Sequence, residues 1–113
     1  MKRNMDIIRL LLLQVEGDQN AAKQLETYPP HDVTYNAKLL VDAGLIEGDV
    51  AEGNSIEELG VILNDLTWAG HDFLDAARDD TVWRRAREKF MKPTASFTFE
   101  IVKEWLKVQI AGQ

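Results

Sequence analysis

The hydrophobic positions of this chain recur with helical spacing over most of its length, and one central stretch shows extended spacing instead. A first helix is predicted from Asn4, which can cap it, to about Glu16, with Gly17 ending it. Residues 21–27 fit neither pattern, and residues 25–28 could pair as a short strand. The apolar residues of the first helix surround most of it, which is typical of a central helix: Met5, Ile7, Ile8, Leu10, Leu11, Leu12, Leu13 and Val15.

A second helix is predicted from about His31 to Ala43, because Pro30 suits a first helical turn and apolar residues recur on one side after it. The outward side of this helix carries Thr34 and Lys38, with Tyr35 at the margin. These three side chains are therefore the expected contacts with a nucleic acid or a protein partner.

An extended hairpin is predicted after this helix. Gly44 stands where a left-handed helix cap is needed, and a strand is expected over residues 45–51. The turn-forming residues 52–55 follow, and the chain is expected to return over residues 56–66 with Gly60 as a β-bulge.

Three helices are predicted after the hairpin. Thr67 can cap the first, which runs to about Arg78 and contains Gly70, a residue that permits another backbone to approach closely. The second is expected over residues 82–91, and the third after a cap at Ser96. The inward residues of the first two are expected to be Phe73, Leu74, Ala77, Trp83, Ala86 and Phe90.

The last helix has an apolar arc of roughly 200°, wider than the ~100° stripe that packing against one small domain requires. We therefore expect this helix to pack on two bodies, either two parts of its own fold or its own domain and a second subunit. The residues expected at a dimer interface are Phe97, Ile101, Val102, Trp105, Leu106 and Val108.

Helix, glycine cap, strand, turn, strand, threonine cap and helix form a succession that resembles a winged helix. The predicted fold class is α+β and mostly α: a winged-helix-like domain with a two- or three-stranded antiparallel wing and additional C-terminal helices. A chain of 113 residues suits a single domain over residues 1–113. Its winged-helix core is expected over residues 1–78, and a helical extension over residues 79–113.

Composition restricts the location and the chemistry. The chain has no cysteine, so neither a disulfide framework nor a thiolate metal site is available, and a cytoplasmic location is expected. No apolar stretch reaches the ~20 residues needed to cross a bilayer, and Asp6 and Arg9 interrupt the apolar run near the start. No membrane partner is therefore expected.

The net charge of −6 is unevenly distributed, and this bears on nucleic-acid binding. From Glu47 to Asp65 the chain has six acidic residues and neither lysine nor arginine, so a wing there would be repelled by phosphates. DNA is therefore a disfavoured partner. The basic face that could still contact phosphate contains Arg84, Arg85 and Lys89, although such a face is more often simply solvated.

No residue cluster points to catalysis, and no cofactor is expected. His71 and Asp75 have the spacing of two metal ligands on a helix, but capping and the helix dipole explain such residues, and two ligands are few for a metal site. No serine lies in a glycine-flanked elbow, and no glycine-rich phosphate loop is present. Trp68, Trp83 and Trp105 are expected to be core or interface residues rather than a ligand cage.

Three segments carry a resemblance to a known family: MKRNMDIIRLLL at residues 1–12, LLVDAGLIEG at 39–48 and LTWAGHDFLDAARDDTVW at 66–83. Together they resemble the domain of unknown function 2513 family, which recurs in phages, prophages and bacteria. The latter two segments also resemble winged-helix regulators. The resemblance implies a fold and no activity. As a departure, residues 21–28 offer little room for the helix that precedes the recognition helix of a standard winged helix.

These observations favour a non-catalytic, winged-helix-type regulatory or interaction module of phage or prophage origin, acting through protein contacts. An unidentified protein partner and a homodimer through the C-terminal helices are expected. The competing hypothesis is a transcriptional regulator that binds DNA through helix 31–43 and the basic face at 84–89. The third hypothesis is an enzyme with a metal at His71 and Asp75.

Overall fold

The computed structural model of the protein describes residues 2–90 and 98–112. These residues are mostly helical with one two-stranded antiparallel sheet, so the predicted class, α+β and mostly α, is confirmed. The chain divides into two compact units, unit 1 over Met1–His71 and unit 2 over Asp72–Gln113. In the described ranges, no helix is both long enough and apolar enough to cross a membrane.

The elements follow one another closely along the chain. Unit 1 holds the helices α1 (Met5–Glu16), α2 (Gln19–Leu25) and α3 (Pro30–Asp42) and the strands β1 (Ile46–Ala51) and β2 (Gly60–Leu66). Helix α4 (Trp68–Ala77) begins in unit 1 and continues into unit 2, which also holds α5 (Asp80–Phe90) and α6 (Phe99–Ala111).

Helix α1 supplies much of the core of unit 1, as its apolar pattern predicts. The Asn4 side chain accepts hydrogen bonds from the backbone N–H groups of Asp6 and Ile7, and Gly17 ends the helix with a φ of +115°. The helix packs against α2, α3 and β2. Its buried residues are Met5, Ile7, Ile8, Leu10, Leu11 and Leu12.

Helix α2 occupies most of the segment that the sequence pattern leaves undecided, and the possible short strand at residues 25–28 does not form. The Asp18 side chain caps this helix by accepting from the N–H groups of Asn20 and Ala21, at 2.9 and 3.1 Å. Ala21 and Leu25, four residues apart, are its buried residues. Two apolar positions are too few to reveal a helical period in sequence, but they suffice to hold one short helix against α1. The segment before α3 therefore does have room for a helix.

Helix α3 begins at Pro30, one residue before its predicted start, and its inner face includes a polar residue. Asn36 is fully buried. Its amide oxygen accepts from the Asn4 N–H at 2.8 Å, and its amide nitrogen donates to the carbonyls of Asp32 at 2.8 Å and Lys2 at 3.5 Å. One side chain thus ties α3 to the start of α1.

The hairpin differs from its prediction in two places. A short 3₁₀ turn, Ile56–Glu58, replaces the expected start of the return strand, which begins only at Gly60. The predicted bulge at Gly60 is also wrong: Gly60 pairs regularly with Ala51, and the register shifts between Glu47 and Gly48. The strands pair in regular register next to the turn, and the extra residue, Asn64, lies towards the other end of the hairpin, nearer the helices.

The start of α4 confirms the predicted roles of Gly44, Thr67 and Gly70. Gly44 adopts a φ of +75°, which ordinary side chains disfavour. The Thr67 hydroxyl donates to the Gly44 carbonyl at 2.6 Å and accepts from the Gly70 N–H at 3.0 Å. A β-carbon at Gly70 would collide with the backbone carbonyl of Leu45. The end of α3 and the start of α4 are therefore fixed to each other.

In unit 2, α5 buries Val82, Trp83, Ala86 and Phe90, in agreement with its predicted inner face. Helix α6 starts later than expected. Thr98 caps it by accepting from the Ile101 N–H at 3.2 Å. The cap therefore lies two positions after Ser96, within the roughly two residues by which such a boundary is uncertain, and Ser96 itself lies outside the described residues.

Candidate interaction surfaces

The three predicted contact residues of α3 are only partly accessible. The Thr34 hydroxyl donates to the Pro30 carbonyl of its own helix at 3.0 Å. The Lys38 ammonium lies 2.7 Å from an Asp42 oxygen and 3.3 Å from a Glu52 oxygen. Hydrogen bonds to Asp42 and Glu52 raise the pKa of Lys38, and the bond to Asp42 makes the larger contribution. A phosphate at Lys38 would therefore compete with two carboxylates, while half-buried Tyr35 brings no charge.

The hairpin is acidic on its surface as well as in its sequence. All six acidic residues from Glu47 to Asp65 are exposed. Across residues 1–71 the chain has twelve acidic residues against five lysines and arginines. A negatively charged ligand approaching the hairpin would meet like charge.

One face of the hairpin combines acidic and apolar side chains. Burial alternates along β1, and along β2 except at the extra residue Asn64. Glu47 and Asp49 lie on the outer side of β1, and Ile62 and Asp65 on the outer side of β2. The register places Glu47 opposite Asp65 and Asp49 opposite Ile62. We call these four residues the outer hairpin face. Ile62 is 63% exposed.

Trp68, at the first position of α4, is 89% exposed. Trp68 is therefore not a core residue. Of the two roles predicted for it, core or interface, only the interface role is left. Helical spacing alone could have shown this, because Trp68 lies on the side of α4 opposite the buried residues Gly70, Phe73, Leu74 and Ala77. Ile62 could likewise have been found from the alternation of Val61, Ile62 and Leu63.

The basic face predicted on α5 is present. Arg84, Arg85 and Lys89 are exposed, and Glu88 shares their side of the helix. The Lys89 ammonium lies 5.8 Å from the centre of the Phe90 ring. These residues belong to unit 2, whereas Thr34, Tyr35 and Lys38 belong to unit 1.

His71 and Asp75 lie four residues apart on α4, as their spacing requires. Asp75 accepts a hydrogen bond from the Arg78 side chain at 3.2 Å. In the part of the chain that the structure describes, no three His, Cys, Asp or Glu residues are grouped so as to hold a metal ion. The Asp75 carboxylate, one helical turn after His71, is thus engaged by a cation of the chain itself.

Asp72 links α4 to α6 within unit 2. Its carboxylate lies 3.1 Å from the Lys103 ammonium and 3.2 Å from the Lys107 ammonium. Hydrogen bonds from Lys103 and Lys107 lower the pKa of Asp72, and the bond from Lys103 makes the larger contribution. Hydrogen bonds to Glu100 and Asp72 raise the pKa of Lys103, and the bond to Glu100 makes the larger contribution. This network holds the charged side of α6 against α4.

The apolar arc of α6 separates into a buried part and an exposed part. Val102 and Leu106 are fully buried, so these two predicted interface residues belong to the core of their own unit. Trp105 is half-buried and meets Phe90 edge to face, with ring centres 5.6 Å apart. Ile101 is 51% and Val108 66% exposed. The remaining predicted interface residue, Phe97, lies outside the described residues.

Aromatic contacts also join α4, α5 and α6 within unit 2. The Phe73 ring meets Trp83 at 6.5 Å and Phe99 at 5.4 Å, both in edge-to-face geometry. Such pairs contribute beyond simple burial. Trp83 is therefore a core residue, as predicted.

Comparison with known proteins gives a relative and a family. An uncharacterized protein of Haemophilus influenzae (strain ATCC 51907 / DSM 11121 / KW20 / Rd) is 35% identical over 109 residues, which cover 92% of this chain and 91% of the relative. No solved structure matches the chain. The sequence model of the family described as "Hypothetical protein (DUF2513)" matches residues 2–96, most of the chain. The chain therefore belongs to the DUF2513 family.

Proposed function

We propose that this protein is a non-catalytic, winged-helix-type regulatory or interaction module of phage or prophage origin, located in the cytoplasm, that acts through contacts with a protein partner. The order of α1, α2, α3, β1, β2 and α4 supports the winged-helix part of the proposal. In that fold, α3 would be the recognition helix and the hairpin would be the wing. The proposal includes a homodimer formed through Ile101 and Val108 on α6.

One observation carries the proposal: the only lysine or arginine of α3 is neutralised in place. Lys38 pairs with Asp42 from its own helix and with Glu52 from the hairpin. Most of the affinity of such a fold for DNA would come from neutralising phosphates with lysine and arginine. A recognition helix whose cation is already paired, next to a hairpin without cations, has little to offer a phosphate backbone.

A DNA titration tests this proposal. The full chain is titrated into a labelled duplex of mixed sequence while fluorescence anisotropy is recorded at about 50 and about 200 mM salt, since phosphate contacts weaken steeply over this range. We expect no salt-dependent complex at micromolar protein. Binding with a Kd of about 1 µM or tighter that weakens steeply with salt would overturn the protein-contact proposal.

A second candidate, a DNA-binding regulator, is favoured by the exposed cations Arg84, Arg85 and Lys89 on α5. If DNA does bind, the triple variant Arg84→Gln, Arg85→Gln and Lys89→Gln should abolish the complex. The control Lys23→Gln, an exposed cation on α2, should leave it intact. A loss per removed charge that is equal in the two variants would indicate attraction by net charge alone, without a DNA-binding site on α5.

A further inference from the structure

Trp68 and Ile62 are large apolar side chains that unit 1 leaves in water. A tryptophan that is 89% exposed contributes little to the stability of its own fold, because burial of apolar area is what stabilises. Tryptophan is also one of the residue types that are enriched among those that dominate binding energy at protein interfaces. A single exposed apolar residue is ordinary. The residues around Trp68 and Ile62 therefore decide which kind of partner these two side chains can bind.

The surroundings are acidic. Ile62 lies on the outer hairpin face directly opposite Asp49, and Glu47 lies opposite Asp65 on the same face. Trp68 follows Asp65 by three residues, so their α-carbons lie within about 10 Å of each other. Ile62 therefore shares a face with three carboxylates, and Trp68 follows one of them closely along the chain.

These carboxylates are free to accept a cation. Among the described residues, Glu47, Asp49 and Asp65 make no ion pair, whereas Glu52 at the hairpin turn is held by Lys38. Like charges directly opposite each other on neighbouring strands destabilise a sheet. The pair Glu47 and Asp65 therefore weakens the hairpin unless something positive covers it.

The chemistry selects the class of partner. A guanidinium can stack on an indole while its neighbours along a chain pair with carboxylates, and aliphatic side chains can cover Ile62. Nucleic acid and anionic lipid would be repelled by the same face. The occupant that matches both the charge and the apolar groups is an arginine-rich segment with interspersed apolar residues.

We propose that the outer hairpin face and Trp68 form the docking surface for an arginine-rich segment of a protein partner. This inference rests on the proposed function, since it names the surface and the chemistry of the partner for that protein contact. Arginine side chains pair with Glu47, Asp49 and Asp65, one of them stacks on Trp68, and an apolar side chain lies on Ile62.

The test uses a labelled peptide of alternating arginine and leucine and the full-length chain, with fluorescence anisotropy as the readout. Trp68→Ala should weaken binding by about tenfold or more, as expected of a central aromatic contact. The double variant Glu47→Gln and Asp65→Asn should weaken binding to a similar degree. Its matched control, Glu26→Gln and Glu104→Gln, removes two exposed charges elsewhere and should change the Kd by less than about twofold.

A second measurement separates binding from folding. Because Glu47 and Asp65 repel each other, the double variant should unfold at a higher temperature than the parent while binding less peptide. A lower unfolding temperature would mean that the pair supports the fold, and would overturn the argument from repulsion.

The outcomes distinguish this surface from the proposed function itself. Equal losses in the double variant and its control, or an unchanged Kd for Trp68→Ala, or no peptide binding, would overturn the docking surface while leaving a protein-contact function through other residues. Tight, salt-sensitive DNA binding would overturn both. Self-association lost in Trp68→Ala would show that a second copy occupies the surface, and would overturn the partner assignment.

Discussion

Asn36 is the residue on which the internal order of unit 1 depends most directly. It is fully buried, and its amide satisfies the N–H of Asn4, which itself caps α1, while donating to the carbonyls of Asp32 and Lys2. A buried polar group without a partner costs far more than a made hydrogen bond contributes. Position 36 therefore needs a short side chain that can both accept and donate hydrogen bonds.

Replacing Asn36 by leucine keeps the size of the side chain and removes its hydrogen bonds. We expect the free energy of unfolding to fall by about 1–3 kcal/mol, because the Asn4 N–H loses its partner and two carbonyls each lose a hydrogen bond. Urea unfolding followed by circular dichroism measures the change, with an unchanged m-value as the sign of an intact native state. The control Asn64→Leu, at an exposed strand position, should stay within about 0.5 kcal/mol. Equal effects in the two variants would contradict the role given to Asn36.

Residues that act on their immediate neighbours could be predicted from sequence. Asn4, Gly44 and Thr67 cap or turn the chain through bonds to residues close by or through their own φ angle, so local rules suffice for them. Asn36 satisfies a group 32 positions away, and no local rule states that. Its helical spacing from Val33 and Leu40 could have indicated an inward polar residue, but its partner emerges only when α1 and α3 pack.

At the scale of elements, amphipathic patterns predicted which side of a helix is buried better than where the helix begins. The inner face of α5 agreed with expectation, while the cap of α6 lies two residues after its predicted position and α2 took the place of a possible strand. The wide apolar arc of α6 showed that apolar residues exceed what one contact buries. It could not show that Val102 and Leu106 are the buried ones, because that depends on where α4 and α5 lie.

The ion pairs of Asp72 join α4 and α6, so unit 2 should lose stability in acid. Lys103 and then Lys107 lower the pKa of Asp72 below its ordinary value of 3.8. A lowered pKa means that the stabilisation is complete above the pKa of the unfolded chain and disappears as pH falls through the lower pKa of the folded chain. The contribution is therefore present at neutral pH and is lost below about pH 4.

The variant Asp72→Asn isolates this contribution. At neutral pH it should unfold at a lower urea concentration than the parent, and the two midpoints should converge as pH falls below about 4. Added salt should also reduce the neutral-pH difference, because exposed ion pairs are screened. The exposed α6 residue Glu104 supplies the control Glu104→Gln. A difference between Asp72→Asn and the parent that persists unchanged at low pH would show that the ion pairs are not its cause.

At the scale of the molecule, charge is segregated between the two units. Residues 1–71 hold twelve acidic and five basic residues, while Arg84, Arg85 and Lys89 lie in unit 2. The sequence predicted this segregation, because charge is read directly from composition. It could not predict that Lys38 is neutralised by Glu52, since that contact needs the hairpin turn to lie beside α3. Winged-helix ancestry, DNA avoidance and the protein partner stay predictions at this scale.

Dimerisation is a prediction about the whole molecule. Ile101 and Val108, seven residues apart, lie on one side of α6 and remain exposed, whereas Trp105 between them is already in contact with Phe90. Changing Trp105 would therefore disturb unit 2 itself, so Ile101 and Val108 are the better test. A stripe this small falls short of the area that a tight dimer buries, and the association should depend on concentration in the micromolar range.

Sedimentation of the parent at tens of micromolar should show a dimer, and the double variant Ile101→Lys and Val108→Lys should be monomeric, because two buried charges would oppose the contact. The control Ile110→Lys changes an exposed apolar residue on the other side of the same helix and should leave the dimer intact. A parent that sediments as a monomer would show that the exposed stripe has no partner in a second copy. A control that dissociates as completely as the double variant would show that added charge, rather than the stripe, governs association.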